Sequence, residues 1–168
     1  MFIGIKYGHV SGNTSLSIAI KTDDGRIFLE SIGCQNIRNG NGWIIEFLQS
    51  VKDSTGAIVI DGANGQQLLS QQLTDYRLKK PILPTVKEII TAHSAFELAI
   101  PSEGICHMAQ PSLVQSVSNC EHRAIGSNGG FGYQPIREDV EITLLESAVL
   151  AYWAAATVKT TSSQRVSY

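Results

Sequence analysis

Residues 58–62 read IVIDG: three β-branched apolar residues, Ile58, Val59 and Ile60, then an acid, Asp61, then a glycine. A short apolar run of this kind, bounded by a turn signal, reads as a buried strand. A carboxylate at the carboxyl end of such a strand costs desolvation unless a cation, a proton or a hydrogen-bond donor compensates it. Asp61 is therefore the first candidate for function.

Upstream of that strand lie three β-rich segments, FIGIKYG (2–8), TSLSIAIK (14–21) and RIFLESI (26–32). The last two are separated by Thr22, Asp23, Asp24 and Gly25, and an Asp-Gly pair there signals a hairpin. Asn41 and Gly42 then introduce a stretch whose apolar residues Trp43, Ile44, Phe47, Leu48 and Val51 recur at helical spacing. Downstream, Asn64 is placed to cap a helix carrying Leu68, Leu69 and Leu73, and 81–83 is a short strand candidate. Thr85 can start a helix running to about Ile100, and another helix is expected over 111–119. The glycine-rich 125–133 reads as a mobile loop or hairpin tip. From Glu141, ITLLESAVLAYWAAATV is apolar almost all round and predicts a long buried helix. The closing TTSSQRVSY reads as a frayed tail.

Three meandering strands followed by strands alternating with helices predict an α/β fold, a mixed sheet with helices on both faces. The pattern is that of a ribonuclease H-like fold, in which the first strand and the strand ending at Asp61 are neighbours and the last helix packs its N-terminus against both. A chain of 168 residues suits one domain, expected over 1–158 with a flexible tail over 159–168. The net charge of −2 and 17% charged residues describe an ordinary folded composition, with no global basic excess to announce nucleic acid. Cys34, Cys106 and Cys120 have no framework spacing, so small thiols in a reducing setting are expected. Cys106–His107 and Cys120–His122 lack the spacing of structural zinc sites. No apolar stretch approaches the roughly 20 residues that span a bilayer.

Four stretches together resemble the nuclease domain of a tailed-phage terminase large subunit. They are IGIKYG with the following NTSLSIAI, then IVIDGANGQQLL, CHMAQPSLVQSV and VEITLLESAVLAYWAA. The resemblance covers nearly the whole chain in the family's order. It implies a metal-dependent endonuclease that cuts concatemeric double-stranded viral DNA, with Mg²⁺ or Mn²⁺ held in a cluster of acids. Carried over by position, the strand-end acid falls on Asp61 and the acid opening the last helix on Glu141. As catalytic and metal-ligating residues these two are the expectation. The ordinary alternative for Glu141 is a helix N-terminal acid favoured by the macrodipole.

The departure is Lys6, which stands in the first strand where the family has an acid. An ammonium there repels Mg²⁺ or Mn²⁺ and can take a metal's place by pairing with Asp61 and Glu141. Three readings of Lys6 stay open: a disabled site, a side chain pointing away from the cluster, or a deliberate substitution. Asp139 is weighed as a replacement ligand, and His107 as a group behind the ligands or a DNA contact. Glu146, five residues beyond Glu141, is rotated by about 140° on a continuous helix and is expected at the surface or core edge. Glu30 on the third strand is left open. Arg123, Arg137 and Lys87 are candidate phosphate contacts.

No GxxxxGK[ST] phosphate loop occurs, so the packaging motor is not expected in this stretch. The resemblance implies a terminase ATPase domain, a small terminase subunit and the portal as partners, no membrane, and the host cell cytoplasm as the setting. Two readings follow: a terminase endonuclease, or a catalytically impaired DNA-guiding or docking module that keeps the fold. A junction resolvase or a nucleotide-binding relative of the same fold is a third.

Overall fold

The computed structural model describes residues 1–9 and 12–159. Its centre is a five-stranded mixed sheet in the order β4-β1-β2-β3-β5. The strands are β1 (Phe2–Tyr7), β2 (Asn13–Lys21), β3 (Ile27–Asn36), β4 (Ala57–Asp61) and β5 (Ile105–His107). β1 to β3 form an antiparallel meander, while β4 joins β1 and β5 joins β3 in parallel. The mixed α/β sheet expected from the alternation is present, with the IVIDG strand beside the first.

Strand parity divides the core in two. Ile3, Ile5, Tyr7, Leu16, Ile18, Ile58 and Ile60 face α1 (Gly42–Ser50) and α2 (Gln66–Asp75). The alternate residues Phe2, Ala19, Leu29, Ala57 and Val59 face α3 (Val86–Ala99), α4 (Pro111–Ser118) and α5 (Thr143–Thr157). Continuing the same alternation puts Lys6 and Asp61 on the α5 face, and their register makes them direct neighbours across the β1–β4 pair. Glu30 pairs with Ile18 and so belongs to the opposite face, away from Lys6.

α5 is buried along most of its length and packs on β1, β2, β3 and β4. It approaches β1 so closely because Gly4 has no side chain: a Cβ there would lie 2.5 Å from Ala151 N and closer still to Ser147 O. Small polar residues join the layers. Ser17 Oγ lies 2.7 Å from Ser147 Oγ and 3.2 Å from Ser31 Oγ, and Ser15 Oγ meets Thr143 Oγ1 at 2.5 Å. These hydroxyls satisfy one another where water is excluded, so helix and sheet lose little by burying them.

On the other face, Tyr7 is 1% exposed and its hydroxyl donates to Asn41 Oδ1 at 2.7 Å. Asn41 Nδ2 in turn donates to Gln72 Oε1, which ties β1 to α1 and α2. The chain after Asp61 must pass over Tyr7. Gly62 does so at φ 113°, with its α-carbon against the Tyr7 backbone, a conformation and an approach that favour glycine.

α3 begins with a capping box, in which Thr85 Oγ1 accepts from Glu88 N and Glu88 Oε2 accepts from Thr85 N. Asn64 does not cap α2; Gly65 takes that position, and Asn64 Nδ2 donates to Gly8 O. The candidate strand at 81–83 is a single parallel bridge, Val59 with Ile82. Around the glycine-rich segment the chain forms an antiparallel hairpin, β6 (Cys120–Ile125) and β7 (Gly130–Pro135), which lies against α3. Among the described residues no helix is long and apolar enough to cross a membrane. The tail expected from 159 lies, from residue 160 onward, outside the described residues.

Candidate functional site

A cleft of about 260 Å³ opens where the carboxyl ends of β1 and β4 meet α3, α5 and the hairpin. At its floor the Lys6 ammonium lies 2.5 Å from Asp61 Oδ2 and 3.3 Å from Glu146 Oε1. All three side chains are largely withdrawn from water, with 18%, 21% and 14% of their surface exposed. Burial works against the Lys6 charge, but Glu146 and Asp61 outweigh it and raise the Lys6 pKa above its ordinary 10.5. Burial pushes the Glu146 pKa above 4.5, opposed by Lys6 and reinforced by the charges of Asp61 and Glu141. The cluster is thus two acids sharing one ammonium.

Sequence reasoning brings Lys6 and Asp61 together, and the structure places them side by side. It misplaces Glu146, which is not at the surface or core edge but is the third member of the cluster. The 140° count from Glu141 fails because α5 starts only at Thr143, so Glu141 is outside the helix. The Glu141 carboxylate turns back instead: Oε1 accepts from Ile142 N and Thr143 N, and Oε2 accepts from Asn13 Nδ2 at 2.7 Å. That is anion binding at a helix N-terminus, and it leaves Glu141 out of the cleft lining. The signal for Glu146 was present in the sequence. It is the single charged residue in ITLLESAVLAYWAAATV, and a charge within a buried helix needs a partner.

Asp139 is a correction too. Its side chain is 68% exposed and paired with Arg137, whose Nη2 donates to Oδ2 at 2.6 Å, so neither residue contributes to the cleft. His107 sits on β5, three strand positions from β1 or about 14 Å at the usual spacing. Its Nδ1 accepts from Ala109 N, and it lines a separate apolar groove between α3 and α4. Of the candidate phosphate contacts, Arg123 on β6 does line the cleft; Lys87 is exposed and outside its lining.

Two wall residues escaped notice in the sequence. Tyr133 on β7 donates its hydroxyl to Glu97 Oε1 at 3.0 Å, and His122 Nε2 meets the same oxygen, which fastens the hairpin to α3. His93 on α3 is 4% exposed and stacks edge-on against Tyr133. Its Nδ1 bonds Ile89 O at 2.8 Å, while Nε2 is buried without a partner. Burial lowers the His93 pKa, so the ring is neutral, donates through Nδ1 and presents Nε2 as an acceptor.

The residues as folded do not suit a divalent ion. Two carboxylates converge where three or more ligands are needed, and the ammonium already stands between them. Among the described residues no group of three His, Cys, Asp or Glu side chains is arranged to hold a metal. The expectation of Mg²⁺ or Mn²⁺ on Asp61 and Glu141 is not met by this geometry, because Glu141 caps α5 and Lys6 occupies the acids' meeting point.

No protein-family model matches the sequence, and no curated protein matches it. Solved structures do match. The bacteriophage HK97 large terminase superimposes with a TM-score of 0.72 at 13% identity, over 91% of this chain and 39% of its own. The large terminase nuclease of thermophilic phage G20c, with bound magnesium, gives 0.66 at 15% identity, over 90% of this chain and 79% of its own. The same nuclease with bound cobalt gives 0.61 at 13% identity over the same shares. The fold is that of these phage terminase nuclease domains, a ribonuclease H-like α/β sheet. The chain spans about two fifths of the HK97 terminase.

Proposed function

We propose that this chain is the nuclease-fold component of a phage DNA-packaging terminase, and that as folded it guides or docks double-stranded viral DNA rather than cutting it. The observation that carries the second half is the Lys6 ammonium shared by Asp61 and Glu146. A hydrolase of the two-metal kind needs carboxylates free to bridge cations that activate water and stabilise the leaving oxygen. Here both acids of the cleft are engaged with a side chain that cannot supply those roles. The first half is supported by the shared fold, with Asp61 at the end of β4 and Glu146 on α5 meeting in the cleft and Arg123 at its wall, a cation suited to a backbone phosphate. The setting proposed with it is the infected host cytoplasm, alongside an ATPase domain, a small terminase subunit and a portal.

One observation favours a second reading, the metal-dependent endodeoxyribonuclease. Asp61 and Glu146 still converge at the cleft, and buried acids are costly to keep without a use. Supercoiled plasmid incubated with Mg²⁺ or Mn²⁺ separates the two. The guiding reading expects retention of duplex DNA in a salt-dependent way with no nicking. Metal-dependent cutting by the unmodified chain sinks it in favour of the nuclease, and failure to retain DNA at low salt removes both.

A further inference from the structure

Ile90, His93 and Glu97 fall on one stripe of α3, and the β6–β7 hairpin is seated along it. A Cβ at Gly130 would lie 2.6 Å from Ile90 Cδ1, and the His93 ring meets Tyr133 edge-on at 4.8 Å. At the end of the stripe one carboxylate oxygen, Glu97 Oε1, accepts twice: from the Tyr133 hydroxyl at 3.0 Å and from His122 Nε2 at 2.5 Å. Tyr133 belongs to β7 and His122 to β6, so a single atom of α3 ties down both strands. We propose that Glu97 is a positioning residue for duplex DNA: through Tyr133 and His122 it holds Arg123 at the wall of the cleft, without touching the DNA itself.

Arg123 depends on such support. It follows His122 on β6 and pairs across the ladder with Gly132, the residue before Tyr133. Glu121 to Ala124 are all exposed, and the main packing of the hairpin on the rest of the fold runs from β7 to α3. The strand that carries the guanidinium therefore owes its place largely to its ladder with β7 and to the bond from His122 to Glu97. Tyr133 is 6% exposed, and burial together with the Glu97 charge raises its pKa, so the hydroxyl keeps its proton and needs an acceptor. Glu97 is outside the cleft lining, whereas Arg123 and Tyr133 belong to it. Loss of the carboxylate orphans the Tyr133 hydroxyl and releases His122 at once.

The sign of the effect separates positioning from plain charge. Deleting an acid beside a phosphate-binding wall removes repulsion, and on that ground alone DNA should bind more tightly. Loosening Arg123 acts the other way, because a cation that is not held in place must be ordered when the duplex binds. That cost for one long side chain corresponds to roughly two- to tenfold in affinity. The inference rests on the guiding reading. Failure of the unmodified chain to retain duplex removes both, whereas normal retention without coupling between Glu97 and Arg123 removes this inference alone.

The test is duplex retention by fluorescence titration at low salt, on the full chain and its variants, with hydrogen exchange of the hairpin alongside. Glu97→Ala is expected to weaken retention roughly fivefold and to speed exchange across 120–135 while β1 stays protected. Glu97→Gln loses the charge but keeps an acceptor oxygen, and should bind within about twofold of the unmodified chain. In an Arg123→Ala background, Glu97→Ala should weaken retention no further. Tyr133→Phe removes one of the two bonds and no charge; a loss of roughly twofold, again absent without Arg123, carries the comparison if Glu97→Ala does not fold. Unchanged or tighter binding by folded Glu97→Ala, equal losses in the Gln and Ala variants, or a loss that persists without Arg123 overturns the proposal.

Discussion

Replacement of Gly4 by alanine tests the contact on which the whole cluster depends. The added Cβ would lie 2.5 Å from Ala151 N and 3.0 Å from Leu150 Cβ, with Ser147 O nearer than either. The first of these is roughly 0.9 Å short of ordinary contact, and the obstacle is helix backbone, which cannot rotate aside like a side-chain end. α5 must therefore back away from β1 as a body. Overpacking of this kind costs typically 1–3 kcal/mol, and the backbone obstacles put Gly4→Ala at about 3 kcal/mol. For a domain of this size that is a fall in Tm of roughly 6–12 °C. The same movement carries Glu146 away from Lys6 and beyond ion-pair range. Urea denaturation supplies the stability, and Gly42→Ala supplies the control: nothing lies within 4 Å of a Cβ there, at the exposed first residue of α1. That control should gain about 0.5–1 kcal/mol. A Gly4→Ala protein within about 1 kcal/mol of the unmodified chain would refute the account of how α5 is seated.

Other outcomes follow from the same geometry. Because burial raises the folded pKa of Glu146 above 4.5, its contribution to stability is complete below about pH 4.5 and is lost as pH rises through the raised value; Glu146→Gln should flatten that part of a stability-against-pH curve measured by urea titration. The raised pKa of Lys6, in which the two acids outweigh burial, contributes stability below pH 10.5 that is lost above it, so Lys6→Met should blunt alkaline unfolding. Thr85→Ala removes one half of the α3 capping box and should cost about 1 kcal/mol in the same assay, with no change in duplex retention. Arg123→Ala should weaken duplex binding and lower the slope of log affinity against log salt by about 1. Arg137, already paired with Asp139, should change that slope little when replaced by alanine and measured by salt-dependent duplex titration.

Much of the architecture is written in local pattern. Alternation in 2–8 and 14–21, the apolar 58–60 and the almost wholly apolar 142–158 identify elements that must be buried in the core. β5 and β6 escape this reading for a physical reason. β5 is three residues long, and β6 leaves Glu121, His122, Arg123 and Ala124 exposed, so neither shows the apolar half of a strand's period. Asp61 is legible because a strand end fixes both its depth and its face, and Lys6 because register then follows from parity. Glu146 was obscured by where α5 begins. A helix phase has meaning only from the first helical residue, and capping chemistry at Glu141 moved that origin by two positions. His93 gave no sign, since α3 shows in sequence only that position 93 is helical, not that a hairpin closes over it.

Lys6 and Tyr7 are consecutive on β1, one in the cleft and one locked beneath Gly62 and Gly65 with its hydroxyl on Asn41. The strand end is therefore an anchored pivot, and the ammonium can leave the acids only by turning about its own side-chain bonds. Rotation of a side chain is faster than opening of packed backbone, which takes microseconds or longer. Shifts of the ammonium between Asp61 and Glu146 should accordingly be fast beside any opening of β1. Amide protons of β1 should stay protected against hydrogen exchange while the ion pairs beside them rearrange.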